Sequence, residues 1–271
     1  MPLRVLQFNM QFGQGWDEAH PDQAPVDLDA TIAEIRRHEA DVVFLQEVEQ
    51  AQTGGRQVEP PPNYTRLCAA LPGYDSCFSY PRADPRELPF GLGLAIFSRT
   101  PLRDTFREDL PSPPISFDFF GEAKTPTDRV LIGARTVVEG REITLLNTHL
   151  LAFFMLKTSG ARYPQQRERV AELLRAQNGP TLLAGDFNAS NHAALIAQFG
   201  ACGFSTAQQT EITWRRRPYV LDHIFFNAGL QCTDCRVEPT PTSDHHALVA
   251  DFILAEQGAE TVAPSSAQTA A

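Results

Sequence analysis

Leu182-Leu183-Ala184-Gly185-Asp186-Phe187-Asn188 is an apolar run that stops on an acid and an amide. A strand covered on one face alternates apolar and polar residues, so a continuous run predicts a strand buried on both faces. The same form recurs along the chain. Leu6-Gln7-Phe8-Asn9 ends on Asn9, Val43-Phe44-Leu45-Gln46-Glu47 on Glu47, and Leu145-Leu146-Asn147-Thr148-His149 on His149. Leu221-Asp222-His223 opens a strand with Asp222, and Ser243-Asp244-His245 precedes the last one. Strands are thus predicted over residues 3–9, 41–47, 92–98, 130–138, 143–149, 181–186, 221–226 and 247–252.

Helices fall between these strands. Asp27 or Asp29 can cap one whose Leu28, Ile32 and Ile35 share a face. Pro164 fits the first turn of a second, with Val170, Leu173 and Leu174 inward and Gly179-Pro180 stopping it. A shorter one follows Asn191 through Leu195, Ile196 and Phe199. Residues 51–63 and 110–128 are too rich in Pro and Gly to be regular, and loops of that length are often functional. Buried strands alternating with helices make this an α/β chain. Residues 1–256 read as one domain and 257–271, small and polar, as a disordered tail.

The 271 residues are 42% hydrophobic and 21% charged, which excludes a wholly disordered, collagenous or coiled-coil chain. No apolar run approaches the roughly 20 residues of a membrane span, and Met1-Pro2-Leu3-Arg4-Val5 lacks the form of a secretory signal. A soluble, cytoplasmic protein without membrane insertion is expected. Lys and Arg total 23 against 33 Asp and Glu, a net charge of −10, which argues against sequence-blind coating of nucleic acid. A small substrate, or a strand held locally by metal and a few arginines, stays compatible. Five cysteines are an odd number, and Cys232-Thr233-Asp234-Cys235 has no second pair to complete a zinc site, so reduced thiols are expected.

Any one acid or amide at a strand end is ordinarily a turn former or cap. Recurrence at six strands calls for another explanation. Together these positions supply four carboxylates (Glu47, Asp186, Asp222, Asp244), two amides (Asn9, Asn188) and two histidines (His149, His245). That mixture suits a hard, oxygen-loving cation, Mg²⁺ or Mn²⁺, rather than zinc.

In their order along the chain, LQFN, LQE, the strand Gly93–Arg99, NTHL, GDFN, LDHIF and SDHHAL resemble the endonuclease/exonuclease/phosphatase superfamily. The likeness covers the chain without its tail. It implies a four-layer α/β/β/α sandwich of two packed mixed sheets, as in DNase I, with the active site at one edge. It implies that Asn9 and Glu47 bind or position the metal, with Asp244 close by as a further ligand or water-mediated contact. Asp186 and Asn188 would lie across the site, near metal and phosphate, and orient the attacking water. Asp222 would hydrogen-bond His245, His149 would meet the phosphate or the leaving oxygen, and Gln46 would support Glu47 from behind.

The implied activity is metal-dependent hydrolysis of a phosphodiester or phosphomonoester by direct attack of water. Abasic-site endonucleases of this superfamily tend to carry Thr-Lys after LQE and Tyr at the position of His149. Here Val48-Glu49 and Thr148-His149 point to the branch of DNase I-like nucleases, sphingomyelinase-like and inositol-phosphate phosphatases, and tyrosyl-DNA phosphodiesterases. A nuclease or nucleotide-ended phosphodiesterase is the first expectation and a sphingomyelinase-like enzyme or inositol-phosphate phosphatase the second; an inactive binding module would not need the whole set. Aromatics at 115–120 and 151–156 either line the site or pack on the core. Arg215-Arg216-Arg217 either meets phosphate or forms a solvated turn.

Overall fold

The computed structural model describes residues 2–256, so the expected tail at 257–271 lies outside the described residues. In chain order the first elements are β1 (Leu3–Asn9), α1 (Leu28–Arg37), β2 (Val42–Gln50), α2 (Pro62–Ala70), β3 (Asp75–Ser79), β4 (Gly91–Ser98) and β5 (Arg103–Leu110). A small hairpin, β6 (Phe117–Phe119) and β7 (Glu122–Lys124), leads to β8 (Arg129–Val138), β9 (Arg141–His149) and α3 (Gln165–Arg175). The chain closes with β10 (Thr181–Asp186), α4 (His192–Gly200), β11 (Phe204–Thr206), β12 (Asp222–Asn227), β13 (Leu230–Glu238) and β14 (Ala247–Leu254).

The strands form two mixed six-stranded sheets, ordered β13-β14-β1-β2-β4-β3 and β11-β12-β10-β9-β8-β5. Val5, Phe44, Ile96 and Phe252 of the first meet Ile132, Leu145, Ala184 and Ile224 of the second in a buried interior. The outer face of the first sheet packs Leu6, Phe8 and Val43 against Leu28, Ile32 and Ile35 of α1 and Leu67 of α2. The outer face of the second packs Leu146, Leu183 and Phe225 against Val170 and Leu174 of α3 and Leu195 and Phe199 of α4. Central strands are therefore buried on both sides, which is why they read as continuous apolar runs. The four-layer α/β sandwich is as expected.

The eight expected strands are present, with ends shifted by a few residues. The strands missing from the sequence reading lie mainly at sheet edges. β5, RDTFREDL, is largely exposed, and β13 is half-buried; charged edges block pairing with other chains and erase the apolar signal. Two loop expectations need correction. α2 begins inside the 51–63 stretch, because Pro62 occupies a first-turn position that needs no N–H. The 110–128 stretch contains the β6–β7 hairpin, turned at Phe120 and Gly121, both with positive φ.

The helices follow their local signals. Asp27, not Asp29, caps α1 by accepting from the Ala30 N–H at 3.0 Å, and Asn191 caps α4 through Ala194 N–H at 3.2 Å. Pro164 is the N-cap residue of α3, Leu173 is only half-buried, and the helix ends at Arg175, before Gly179-Pro180. All five cysteines are free thiols. The bulge between Cys232 and Asp234 turns Cys232 and Cys235 toward the same inter-sheet interior.

Candidate active site

Side chains two residues apart on a strand share a face, and here that period carries the interior from apolar to amide to acid. On β1 the inward series is Val5, Gln7, Asn9; on β2 it is Phe44, then Gln46; on β9 it is Leu145, Asn147, His149. Ala184 is followed by Asp186 on β10, and Ile224 is preceded by Asp222 on β12. Parallel pairing of β1 with β2, and of β9 with β10, brings these ends to one edge of the sandwich.

Asp222 and His245 form the innermost pair, with Asp222 Oδ2 2.8 Å from His245 Nδ1. His245 Nε2 then points to Asp186 Oδ2 at 3.6 Å and Asp244 Oδ1 at 4.0 Å. From the other side His149 Nε2 lies 3.5 Å from Asp186 Oδ2 and 4.0 Å from Glu47 Oε1. Asn9 Nδ2 donates to Glu47 Oε1 and Asp186 Oδ2, both at 3.1 Å, and so spans the two sheets. Asp186 Oδ1 accepts from Asn188 N–H at 2.9 Å, while Asn188 Nδ2 donates to Leu150 O. The structure brings all eight expected residues together.

Several local distortions serve this edge. Glu47 (φ +50°) and Asn188 (φ +47°) adopt left-handed backbone, which costs about 1–3 kcal/mol each and is found where a side chain must be re-aimed. Glu47 sits in a bulge of β2, where the register with β4 shifts between Gln46 and Glu49. Gly91 makes room for it: a Cβ there would lie 2.1 Å from Glu47 Oε2. Asp244 Oδ2 accepts from Trp214 Nε1 at 3.2 Å and Arg216 Nε at 2.6 Å. Its Oδ1 carries no hydrogen bond among the described residues and turns toward His245.

Charge is unevenly matched here. Burial pushes the Glu47 carboxyl up to about 7, and the nearby charge of Asp244 acts the same way. Burial and the Asp222 charge also raise Asp186, against the pull of His245. Burial would raise Asp222 too, but the charge and hydrogen bond of His245 win and hold it low. Burial alone would neutralise His245; the charges of Asp222 and Asp186 reverse that and raise it. His149 is held neutral by burial, then by Arg129 and His245. Glu47 and Asp186 are thus carboxylates short of positive charge, and with the Oδ1 of Asp244 they offer oxygen ligands that fit a hard divalent cation. Asp186, Asp222 and His245 also bring one ligand atom each within 4.8 Å of one another. Both Asp222 oxygens are committed to Gln7 and His245, so that trio reads as proton-handling rather than as a metal cage.

Two expectations change. Gln46 makes no hydrogen bond to Glu47 among the described residues: its amide points between the sheets to Gln7 and Asn147. The arginine triplet lies in a hairpin turn in which Arg215 and Arg216 are anchored and Arg217 is exposed to solvent. Arg215 pairs with Glu18 and Arg216 with Asp22 and Asp244, both over the Trp16 ring. Arg129 is a residue the sequence reading missed. It begins β8 beside the end of β9, and its Nε is buried with no hydrogen-bond partner. The available signal was a basic residue flanking a buried strand at the same sheet end as His149.

Residues 6–245 match the model of the Endonuclease/Exonuclease/phosphatase family. The chain belongs to this family. A UPF0294 protein from Vibrio campbellii is 28% identical over 124 residues, 44% of this chain and 42% of that protein. The chain thus spans less than half the length of this curated relative. Among solved structures, the endonuclease/exonuclease/phosphatase from Beutenbergia cavernae superposes with a TM-score of 0.68 at 21% identity, covering 94% of this chain and 72% of that one. The human Nocturnin catalytic domain with bound sulfate gives 0.62 at 20%, covering 93% and 94%. Members of the endonuclease/exonuclease/phosphatase family are phosphoesterases, and these structural likenesses carry the fold.

Proposed function

We propose that the protein is a Mg²⁺- or Mn²⁺-dependent phosphoesterase that hydrolyses a phosphodiester by direct attack of water, most plainly a nuclease or nucleotide-ended phosphodiesterase. The carrying observation is the meeting of Glu47, Asp186, Asp222, Asp244 and His245, drawn from both sheets, at one edge of the sandwich. Glu47 and Asp244, with Asp186 and Asn188 across from them, would hold the cation, and Asn9 fixes Glu47 and Asp186 from behind. Bound there, such a cation neutralises phosphoryl oxygens and stabilises the leaving oxygen.

The chain's own groups supply the rest. The His245–Asp186 pair takes the proton that water loses as its oxygen bonds to phosphorus, and the opposite P–O bond breaks. Asp222 on Nδ1 keeps Nε2 of His245 facing the pocket. His149 meets the leaving oxygen, and the Arg129 guanidinium, whose buried Nε has no hydrogen-bond partner among the described residues, meets a non-bridging oxygen. Beside His245, Phe154, Trp214 and Tyr219 pack ring against ring and offer a wall for a base. Unpaired thiols suit a reducing compartment such as the cytoplasm.

A second reading, a sphingomyelinase-like enzyme or inositol-phosphate phosphatase, has its own observation. Phe120 is 93% exposed at the β6–β7 turn, with Phe90 at 53% and Met155 at 56%, and all three lie close in sequence to Arg129, Gly91 or His149. The test is hydrolysis of bis-p-nitrophenyl phosphate with Mn²⁺, followed by a panel of single-stranded DNA, duplex DNA, RNA, sphingomyelin and inositol phosphates. Turnover that EDTA abolishes is expected; no turnover with either metal on any member of the panel would overturn the reading.

A further inference from the structure

Beneath the acids lies a layer of fully buried amides. Gln7 and Gln46 exchange side-chain hydrogen bonds at 2.6 and 2.8 Å. Gln46 Nε2 also donates to Asn147 Oδ1 at 2.7 Å, and Asn147 Nδ2 donates to the carbonyls of Leu45 and Ala95, both at 2.9 Å. At the other end Gln7 Nε2 donates to Asp222 Oδ1 at 3.1 Å. Gln7, Gln46, Asn147 and Asp222 are all 0% exposed.

A primary amide has two donor hydrogens, and in each of these three both are used. The chain therefore has a single orientation. Turning Gln7 over would set its carbonyl against the Asp222 carboxylate, and Gln46 and Asn147 prevent that. An apolar layer would fill this space as well, so the amides need another explanation. We infer that Gln7, held by Gln46 and Asn147, is a positioning residue for His245: by occupying Asp222 Oδ1 it fixes the carboxylate so that Oδ2 meets His245 Nδ1. The inference rests on the reading of His245 as a proton-handling group of a phosphoesterase. It adds that the two sheets are latched by amides one layer below the chemistry.

The test is Gln7→Met, which keeps the volume and removes the donor. Its readouts are turnover of bis-p-nitrophenyl phosphate and the ring-proton spectrum of protein labelled with ¹⁵N-histidine. The expected result is a kcat reduced roughly tenfold or more, a KM within about twofold, and a displaced downfield His245 Nδ1–H resonance. A wild-type kcat together with an unmoved resonance would overturn the inference. The resonance is read without substrate, so it separates this inference from the phosphoesterase reading, which fails on its own if wild-type protein turns over nothing. Should Gln7→Met not fold, the side-chain amide protons of Gln7 are compared between wild type and Asp222→Asn. A shift of one of them supports the contact, and identical shifts refute it.

Discussion

Each acid of the pocket owes its behaviour to one or two neighbours, and single substitutions address them. Replacing His245 by Ala removes the imidazole that faces Asp186 at 3.6 Å, and turnover is expected to fall by roughly 100-fold or more with folding intact. Near-normal kcat in a folded variant would contradict the role. Gly91→Ala is a sharper steric test. The added methyl would lie 2.3 Å from Glu47 Cβ, so the carboxylate must move, and misplacement by about 1 Å can cost up to ~100-fold. We expect kcat to fall about 10- to 100-fold while circular dichroism is unchanged; full activity would show that Glu47 is not held by this cradle. At this scale the sequence was readable where a residue type is itself diagnostic, as with Glu47, Asp186 and His245. It was not readable for Gly91, Arg129 or Arg216, whose importance depends on what they face across the fold. The Gln46 correction has the same origin, since nothing in LQE announces a left-handed Glu47.

Among the elements, α1 carries a testable electrostatic clamp. Glu34 is buried against His38 and Arg37, with Arg37 Nε 2.6 Å and His38 Nε2 3.2 Å from its oxygens. Burial would raise its carboxyl, yet the hydrogen bonds and charges of His38 and Arg37 outweigh it and bring it down to about 2. A depressed carboxyl stabilises the fold above its unfolded value, roughly 4.3, and that contribution is lost as pH falls toward 2. Glu34→Gln is therefore expected to lose on the order of 1–3 kcal/mol at pH 7, with the gap to wild type roughly halved at pH 3. Urea midpoints across that range check it, and a gap independent of pH would contradict it. Caps and buried strands such as these were legible because their signals are local. The charged edge strand β5 and the Pro62 start of α2 were not, because tertiary pairing there overrides composition.

For the molecule as a whole, the claim is convergence. Strands β1 and β2 of one sheet and β9, β10 and β12 of the other deliver acids, amides and imidazoles to a shared edge, and the segment before β14 closes it with Asp244 and His245. The order of the strand-end motifs made that sandwich legible through the resemblance it carries to the family, whereas the continuous apolar runs by themselves announced only strands buried on both faces. The substrate was less legible, since the aromatics at 115–120 and 151–156 divide between core and rim. Phe153 is buried, whereas Phe120 and Met155 are exposed. The most direct measurement is Mn²⁺ binding followed by electron paramagnetic resonance of the free ion, in wild type and in folded Glu47→Gln. Saturable binding in wild type that weakens at least about tenfold in the variant is the predicted result. Equal binding by both proteins, or none by wild type, would contradict a cation pocket built at this edge.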